Sequence, residues 1–278
     1  MPLPKFLIKR VPKQRNINKI RQLIQDCHIH TVCESAKCPN IGECFSKQTL
    51  TFMILGNTCT RNCAFCGINS GVPLPPDPEE PVQIAKAVKK INLDYVVITS
   101  VTRDDLADGG AGQFRNLILE IRKLDVRIKT EVLIPDFQGN EQALETVIAA
   151  HPYVINHNVE TSPRLYSKIR PQANYQQSLE LLRRVKQKNR GLYTKSGFMV
   201  GLGESQEEVS ALLGDLHKVG CDIVTIGQYL PPSKAHLQAV RYVEPKEFDE
   251  YIRIGEKLGL KVKAGPFVRS SYQANETI

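Results

Sequence analysis

Six of the eight cysteines fall into two triplets, Cys33, Cys38 and Cys44 in TVCESAKCPNIGEC and Cys59, Cys63 and Cys66 in CTRNCAFC. The spacings are C-x4-C-x5-C and C-x3-C-x2-C. Thiolates this close in sequence converge on metal far more readily than they scatter into a core. Each triplet supplies three ligands, whereas a closed tetrahedral zinc site or a fully cysteinyl iron–sulfur cluster takes four. Each triplet therefore implies a metal centre with one position not filled by cysteine, where chemistry can take place. A zinc knuckle or a ferredoxin-like electron carrier would also draw on such spacings.

A secreted disulfide framework is the competing use of eight cysteines, but it suits small chains with little core. This chain has 278 residues, of which 41% are hydrophobic, enough for one large domain or two ordinary ones. The first residues show no signal peptide, and no apolar run approaches a membrane span. Reduced, metal-binding thiols in the cytoplasm are therefore expected. Cys27 and Cys221 lie outside the triplets, and Cys221, opening an apolar strand, reads as a small buried hydrophobe.

The elements that must position the triplets read as repeated β/α units. Tyr95–Thr99 is a short apolar strand, and Phe114, Leu117, Ile118, Ile121 and Leu124 then recur at helical spacing. RIKTEVLIP is the next strand, followed by a helix with Leu144, Val147 and Ile148. YVINHN leads to a helix over 175–188. SGFMVGLGE leads to a helix opened by the capping box Ser205–Glu208, with Gly220 behind its last turn. The stretch 222–226 is another strand, and Pro245 opens a further helix. With a strand near 51–55, about six units result, which predicts a parallel sheet, open or closed as a barrel. CTRNCAFC, TRDDLADGG, NHNVET and GLGE each follow a predicted strand, so they are expected at one end of the sheet.

CTRNCAFC resembles the cluster motif of the radical S-adenosylmethionine (SAM) enzymes, in which three thiolates leave one iron of a 4Fe-4S cluster free for SAM; Phe65, between the last two cysteines, fits that pattern. TVCESAKCPNIGECF resembles the auxiliary-cluster motif of the lipoyl synthase family. The resemblance runs on through VITSVTRDDLADGGAGQF, INHNVETSPRLYSKIRPQANYQQSLELL, KSGFMVGLGES, TIGQYLPPSKAHLQAVRYVEP and AGPFVRSSY. It covers about Thr31 to Tyr272. TSPRLY in place of the usual TVPRLY, and the few residues after RSSY, are its modest departures.

The resemblance implies an α/β fold, a partial (βα)6 TIM-type barrel with N- and C-terminal extensions carrying an auxiliary iron–sulfur site. The boundaries expected are 1–50, 51–258 and 259–278. It implies two 4Fe-4S clusters and SAM, and insertion of two sulfurs at the sixth and eighth carbons of a protein-bound octanoyl-lysine chain, with the auxiliary cluster consumed as donor. Its partners would be octanoylated lipoyl carrier domains, the glycine-cleavage H protein, an external electron donor and iron–sulfur assembly or carrier proteins. The family's fourth auxiliary ligand is a serine of RSSY. Here that is Ser271, with Ser270 as the near alternative. A hard alkoxide on a soft centre makes a labile ligand.

Asn158 and Glu160, two apart at a strand end, share a side of an extended segment and suit the amino group and ribose of SAM; a solvated loop is the plain alternative. Lys195, Arg170 and Gln228 are placed to reach its carboxylate or adenine. Asp104, Asp105 and Asp108 serve either to position cofactor or carrier, or to cap the helix that follows. A different radical sulfurtransferase and a non-catalytic redox or zinc module are the competing readings. The formal net charge of +8 would steer an acidic partner. No motif for nucleic acid is present.

Overall fold

The computed structural model describes residues 3–9 and 14–276, with side chains from Ile17 onward in the first helix. Residues 1, 2 and 10–13 of the basic N-terminal arm, and 277 and 278, lie outside the described residues. The chain divides into two compact units. One is Val11–Asn62 with Gly67–Ile155; the other is Met1–Arg10, Cys63–Cys66 and Asn156–Ile278.

The first unit begins with α1 (Gln14–Asp26), β1 (His30–Thr31), α2 (Val32–Ser35), α3 (Ile41–Ser46), β2 (Thr51–Ile54), β3 (Thr58–Cys59) and β4 (Asn69–Ser70). It continues with α4 (Glu80–Lys90), β5 (Tyr95–Ser100), α5 (Ala111–Leu124), β6 (Lys129–Leu133), α6 (Glu141–Ala149) and β7 (Val154–Asn156), within which the chain passes to the second unit. Its strands lie in the order β1-β2-β5-β6-β7. β2, β5 and β6 pair in parallel, while β1 adds antiparallel with His30 opposite Met53. β2 is buried at all four positions and β5 at its central four. Such continuous apolar runs, rather than alternation, mark strands covered on both faces. α5 turns Phe114, Leu117, Ile118 and Ile121 inward at helical spacing. Asp108 accepts from the amides of Gly110 and Gly112 at 2.8 Å each, so this aspartate caps α5.

The second unit holds α7 (Tyr166–Ile169), α8 (Tyr175–Lys188), β8 (Tyr193–Val200), α9 (Gln206–Lys218), β9 (Ile223–Gln228), α10 (Pro245–Lys257) and β10 (Lys261–Gly265). β8, β9 and β10 are parallel neighbours. Leu182 of α8, Phe198 and Val200 of β8, Leu213 of α9 and Ile226 of β9 share one core. β10 is a strand that the sequence reading left out: Lys-Val-Lys-Ala-Gly is polar, and it carries no apolar signal because it is only partly buried.

The capping box at α9 is present, with Ser205 accepting from the Glu208 amide and Glu208 accepting from the Ser205 amide. The Glu208 carboxylate also receives Arg164 at 2.8 and 2.9 Å. Arg164 first, and then the Ser205 amide, hold the Glu208 carboxyl down at about 2 against a burial effect that raises it. A carboxyl with a lowered folded-state pKa contributes fully above its ordinary value of 4.5 and loses the contribution as pH falls toward 2. The pair is largely exposed, so the worth is modest, about 0.3–1 kcal/mol. Glu208→Gln is therefore expected to melt about 1–3 °C below the parent at pH 7, with the two curves converging near pH 2 in thermal unfolding.

Candidate metal centres and cofactor cradle

In the first unit β1 lies against β2 and leads directly into α2, which carries Cys33. Thr31 caps that short helix through the Glu34 amide at 3.4 Å. The Cys38 amide then donates to the Cys33 carbonyl at 3.0 Å, and the Cys44 amide at the start of α3 donates to Asn40 at 2.9 Å. Burial first pushes the Cys33 thiol up to about 12. Hydrogen bonding to Thr51 opposes this, and the charges of Cys38 and Cys44 add to it. The three thiols of C-x4-C-x5-C are thus electrostatic neighbours, which is what a shared centre requires.

The second triplet is divided between the units, with Cys59 in the first and Cys63 and Cys66 in the second. Cys59 ends β3, whose neighbour β4 pairs Ser70 with it. Its Sγ accepts two backbone N–H groups, from Thr102 at 3.3 Å and Arg61 at 3.4 Å. Such N–H···S bonds orient the sulfur and are of the kind that surround iron–sulfur ligands. The Thr60 amide donates to the Thr102 carbonyl at 3.0 Å, tying the cysteine loop to the loop after β5.

Arg61 completes this corner. Its guanidinium makes two bonds to Asp104, at 2.7 and 2.9 Å, and two to Asp136, both at 2.7 Å. Burial works against its charge, but the hydrogen bonds to Asp136 and Asp104 more than reverse this and keep it protonated. Asp104 is therefore a clamp on the cysteine loop, and Asp105 is spent on Arg103 at 2.8 Å. The sequence reading missed Arg61 and Asp136; a charged residue between two ligand cysteines was the available signal.

In the second unit the Cys66 amide donates to the Cys63 carbonyl at 3.0 Å, and the Ala64 amide to Ile169 at 3.0 Å. Phe65 packs on the cluster of Leu165, Ile169, Leu202 and Tyr229, so this aromatic anchors the loop. The Tyr229 hydroxyl is pushed up to about 12, by burial first and by the neighbouring Cys66 second.

The segment after β7 carries a connected polar group. Asn158 Nδ2 donates to Glu160 Oε1 at 3.0 Å, and Arg170 Nη1 donates to the Asn158 carbonyl at 3.0 Å and to Tyr166 Oη at 3.1 Å. Glu160 has φ of 66°, left-handed for a residue that is not glycine. Two backbone bonds hold it there, from its amide to Gly197 at 3.0 Å and from the Met199 amide to its carbonyl at 2.8 Å. Burial raises the Glu160 carboxyl above the usual range, opposed by Arg170 and Asn158. Lys195 on β8 is 1% exposed.

Gln228 is bonded to the backbone around it. Its Nε2 donates to the carbonyls of Tyr229 and Arg241 at 2.9 and 3.1 Å, and its Oε1 accepts from the Val243 amide at 2.8 Å. Both N–H groups and one lone pair of this buried amide are thus engaged in pinning the chain after β9. Of the two serines, Ser270 Oγ donates to Asn158 Oδ1 at 2.8 Å.

Among the described residues no three histidine, cysteine or acidic side chains are gathered as for a single metal ion. Bonds of 2.3 Å in a tetrahedral zinc site would set thiolates about 3.8 Å apart. A four-iron cluster places its irons and sulfides between the thiolates and needs them wider. An all-thiol donor set, neighbouring thiols around Cys33 and two N–H groups on Cys59 fit iron–sulfur centres better than hard cations.

Residues 53–216 match the Radical SAM superfamily. A lipoyl synthase from Caldicellulosiruptor saccharolyticus is 52% identical over 275 residues, 99% of this chain and 96% of its own. A lipoyl synthase from Oleidesulfovibrio alaskensis is 54% identical over 274 residues, 98% and 94% of the two chains. Among solved structures, Streptococcus suis SuiB bound to S-adenosylmethionine aligns at a TM-score of 0.61 and 12% identity, covering 81% of this chain and 53% of that one. Methylornithine synthase (PylB) aligns at 0.55 and 14%, covering 89% and 81%. At such identities the likeness is one of fold: α/β with a mostly parallel sheet, of the partial-barrel class.

Proposed function

The chain belongs to the lipoyl synthase family of the radical SAM superfamily and is a radical SAM sulfurtransferase, and we propose how its own residues serve sulfur insertion. The substrate is an octanoyl chain in amide linkage to a lysine of a lipoyl carrier domain or of the glycine-cleavage H protein. The product carries sulfur at the sixth and eighth carbons of that chain. One observation carries the reading: both cysteine triplets and RSSY stand together on a chain that is similar to its named relatives from end to end.

Cys59, Cys63 and Cys66 would hold one four-iron cluster and leave an iron for SAM. Cys33, Cys38, Cys44 and Ser271 would hold the second. Together these groups supply one-electron cleavage of SAM to a hydrogen-abstracting radical, and sulfide for the new carbon–sulfur bonds. Asn158 and Glu160 bind the amino group and ribose of SAM, and Arg170 and Lys195 its carboxylate or adenine. A carboxyl raised by burial, as at Glu160, keeps its charge in company with a bound cation such as that amino group. Phe65 wedges the cysteine loop against the core, and Gln228 fixes the segment after β9.

The segments 1–50 and 259–278 act as extensions that carry auxiliary ligands, around a catalytic region at 51–258. An external electron donor and iron–sulfur assembly or carrier proteins complete the set of partners. A reducing, cytoplasmic setting suits thiolate ligands of this kind. Metal analysis tests the cofactor half of this reading: reconstituted protein should be brown and carry about eight irons with matching sulfide. A colourless protein that takes up zinc instead would overturn it.

A further inference from the structure

The C-terminal RSSY segment touches the proposed SAM-binding group directly, through Ser270. Ser270 Oγ donates to Asn158 Oδ1 at 2.8 Å across a sequence separation of 112 residues. That bond fixes which way the Asn158 amide faces. With Oδ1 on Ser270, Nδ2 is turned to Glu160 Oε1 at 3.0 Å. The Asn158 carbonyl is held in turn by Arg170.

The contact is built in by two glycines. A Cβ on Gly197 would stand 2.8 Å from Ser270 Oγ, 2.9 Å from Asn158 Oδ1 and 2.5 Å from Thr225 Oγ1. A Cβ on Gly227 would stand 2.1 Å from the Val268 carbonyl. Both glycines on adjacent strands thus let the C-terminal segment approach. Lys9 Nζ lies 4.6 Å from the ring centroid of Phe267 and 5.1 Å from that of Tyr272, and cation–π attraction helps to hold the segment in place.

We propose that Ser270 is a positioning residue for SAM: it orients Asn158 and Glu160, while the neighbouring Ser271 serves the auxiliary cluster. The inference rests on the SAM role proposed for Asn158. It gives the two serines separate duties.

The test is SAM binding by equilibrium dialysis on cluster-loaded protein, with Mössbauer spectra of the auxiliary cluster recorded in parallel. Ser270→Ala should weaken SAM binding about tenfold, because an accepting amide oxygen loses its donor, and should leave the auxiliary spectrum unchanged. Ser271→Ala should alter that spectrum and leave SAM affinity within about twofold, since among the described residues the hydrogen bond to Asn158 comes from Ser270. In an Asn158→Ala background, Ser270→Ala should cost nothing further, whereas a merely structural role would add. Gly197→Ala perturbs the same contact from the strand side and should also weaken binding. Unchanged affinity in both Ser270→Ala and Gly197→Ala, or loss of the auxiliary signature in Ser270→Ala, would overturn the inference alone. Parent protein that binds no SAM would overturn the reading beneath it as well.

Discussion

Cys63→Ala brings both 5′-deoxyadenosine formation and sulfur gain down to background, whereas Cys38→Ala abolishes sulfur gain and leaves 5′-deoxyadenosine formation standing. The expectation follows from two triplets with separate structural supports. Cys63 lies in the loop anchored by Phe65 on the Leu165–Ile169 core, and by the backbone bond from Ala64 to Ile169. Removing one thiolate of three leaves that cluster with two protein ligands and no stable seat for a cofactor. Cys38 lies between α2 and α3 and acts on Cys33. With the ligands assigned as proposed, its loss would spoil the store of sulfide and spare the radical-forming triplet. Anaerobic incubation with SAM and reductant, followed by chromatography for 5′-deoxyadenosine and mass measurement of an octanoyl-lysine peptide, separates the two. A Cys38→Ala protein that makes no 5′-deoxyadenosine, beside a Cys63→Ala protein that does, would reverse the assignment of the clusters.

Arg61→Ala destabilises the apoprotein by about 3–5 kcal/mol. The Arg61 side chain is 6% exposed and that of Asp136 only 1%. Removing the guanidinium therefore strands a buried carboxylate beside the second carboxylate of Asp104. Arg61→Lys is a poor substitute, because an ammonium cannot serve two carboxylates bidentately. Arg61→Met with Asp136→Asn should recover much of the loss, since the most deeply buried carboxylate is then neutral and only the partly exposed Asp104 lacks its partner. Denaturant unfolding of the apoprotein reads this without any contribution from a cluster. The idea fails if Arg61→Ala unfolds within about 0.5 kcal/mol of the parent, the range of an ordinary surface substitution. The clamp also matters for the metal centre, because the Arg61 amide is one of the two donors to Cys59 Sγ. In variants that remain folded, cluster retention should fall with clamp integrity.

Local signals carried most of the fold. The helix expected over 175–188 is α8 (Tyr175–Lys188), because its apolar spacing and its Asn174 cap both lie within a few residues. The Ser205–Glu208 box likewise marks the start of α9. β1 and β10 were not legible: the first has two residues, and the second is polar and partly exposed. At the candidate site the cysteine triplets stand out because their members sit close in sequence. Asn158 and Glu160 stand out as neighbours in one short segment, and a hydrogen bond joins their side chains. Contacts made by topology were not legible. Asp104 and Asp136 reach Arg61 from 43 and 75 residues away, and Ser270 reaches Asn158 from 112. The backbone bonds of Gln228 were not legible either, because a buried amide at a strand end looks the same in sequence whether it faces a cofactor or its own backbone. The three aspartates of the loop after β5 divide into two partners for arginines and one helix cap for the same reason: loop composition does not say which way each carboxylate points.

One measurement bears most directly on the chemistry. Cluster-loaded, reduced protein is incubated without oxygen with SAM and an octanoyl-lysine peptide, and the peptide mass is followed beside 5′-deoxyadenosine. The account predicts a product that has gained two sulfurs, with two 5′-deoxyadenosines formed for each. 5′-Deoxyadenosine with no sulfur on the peptide would contradict it.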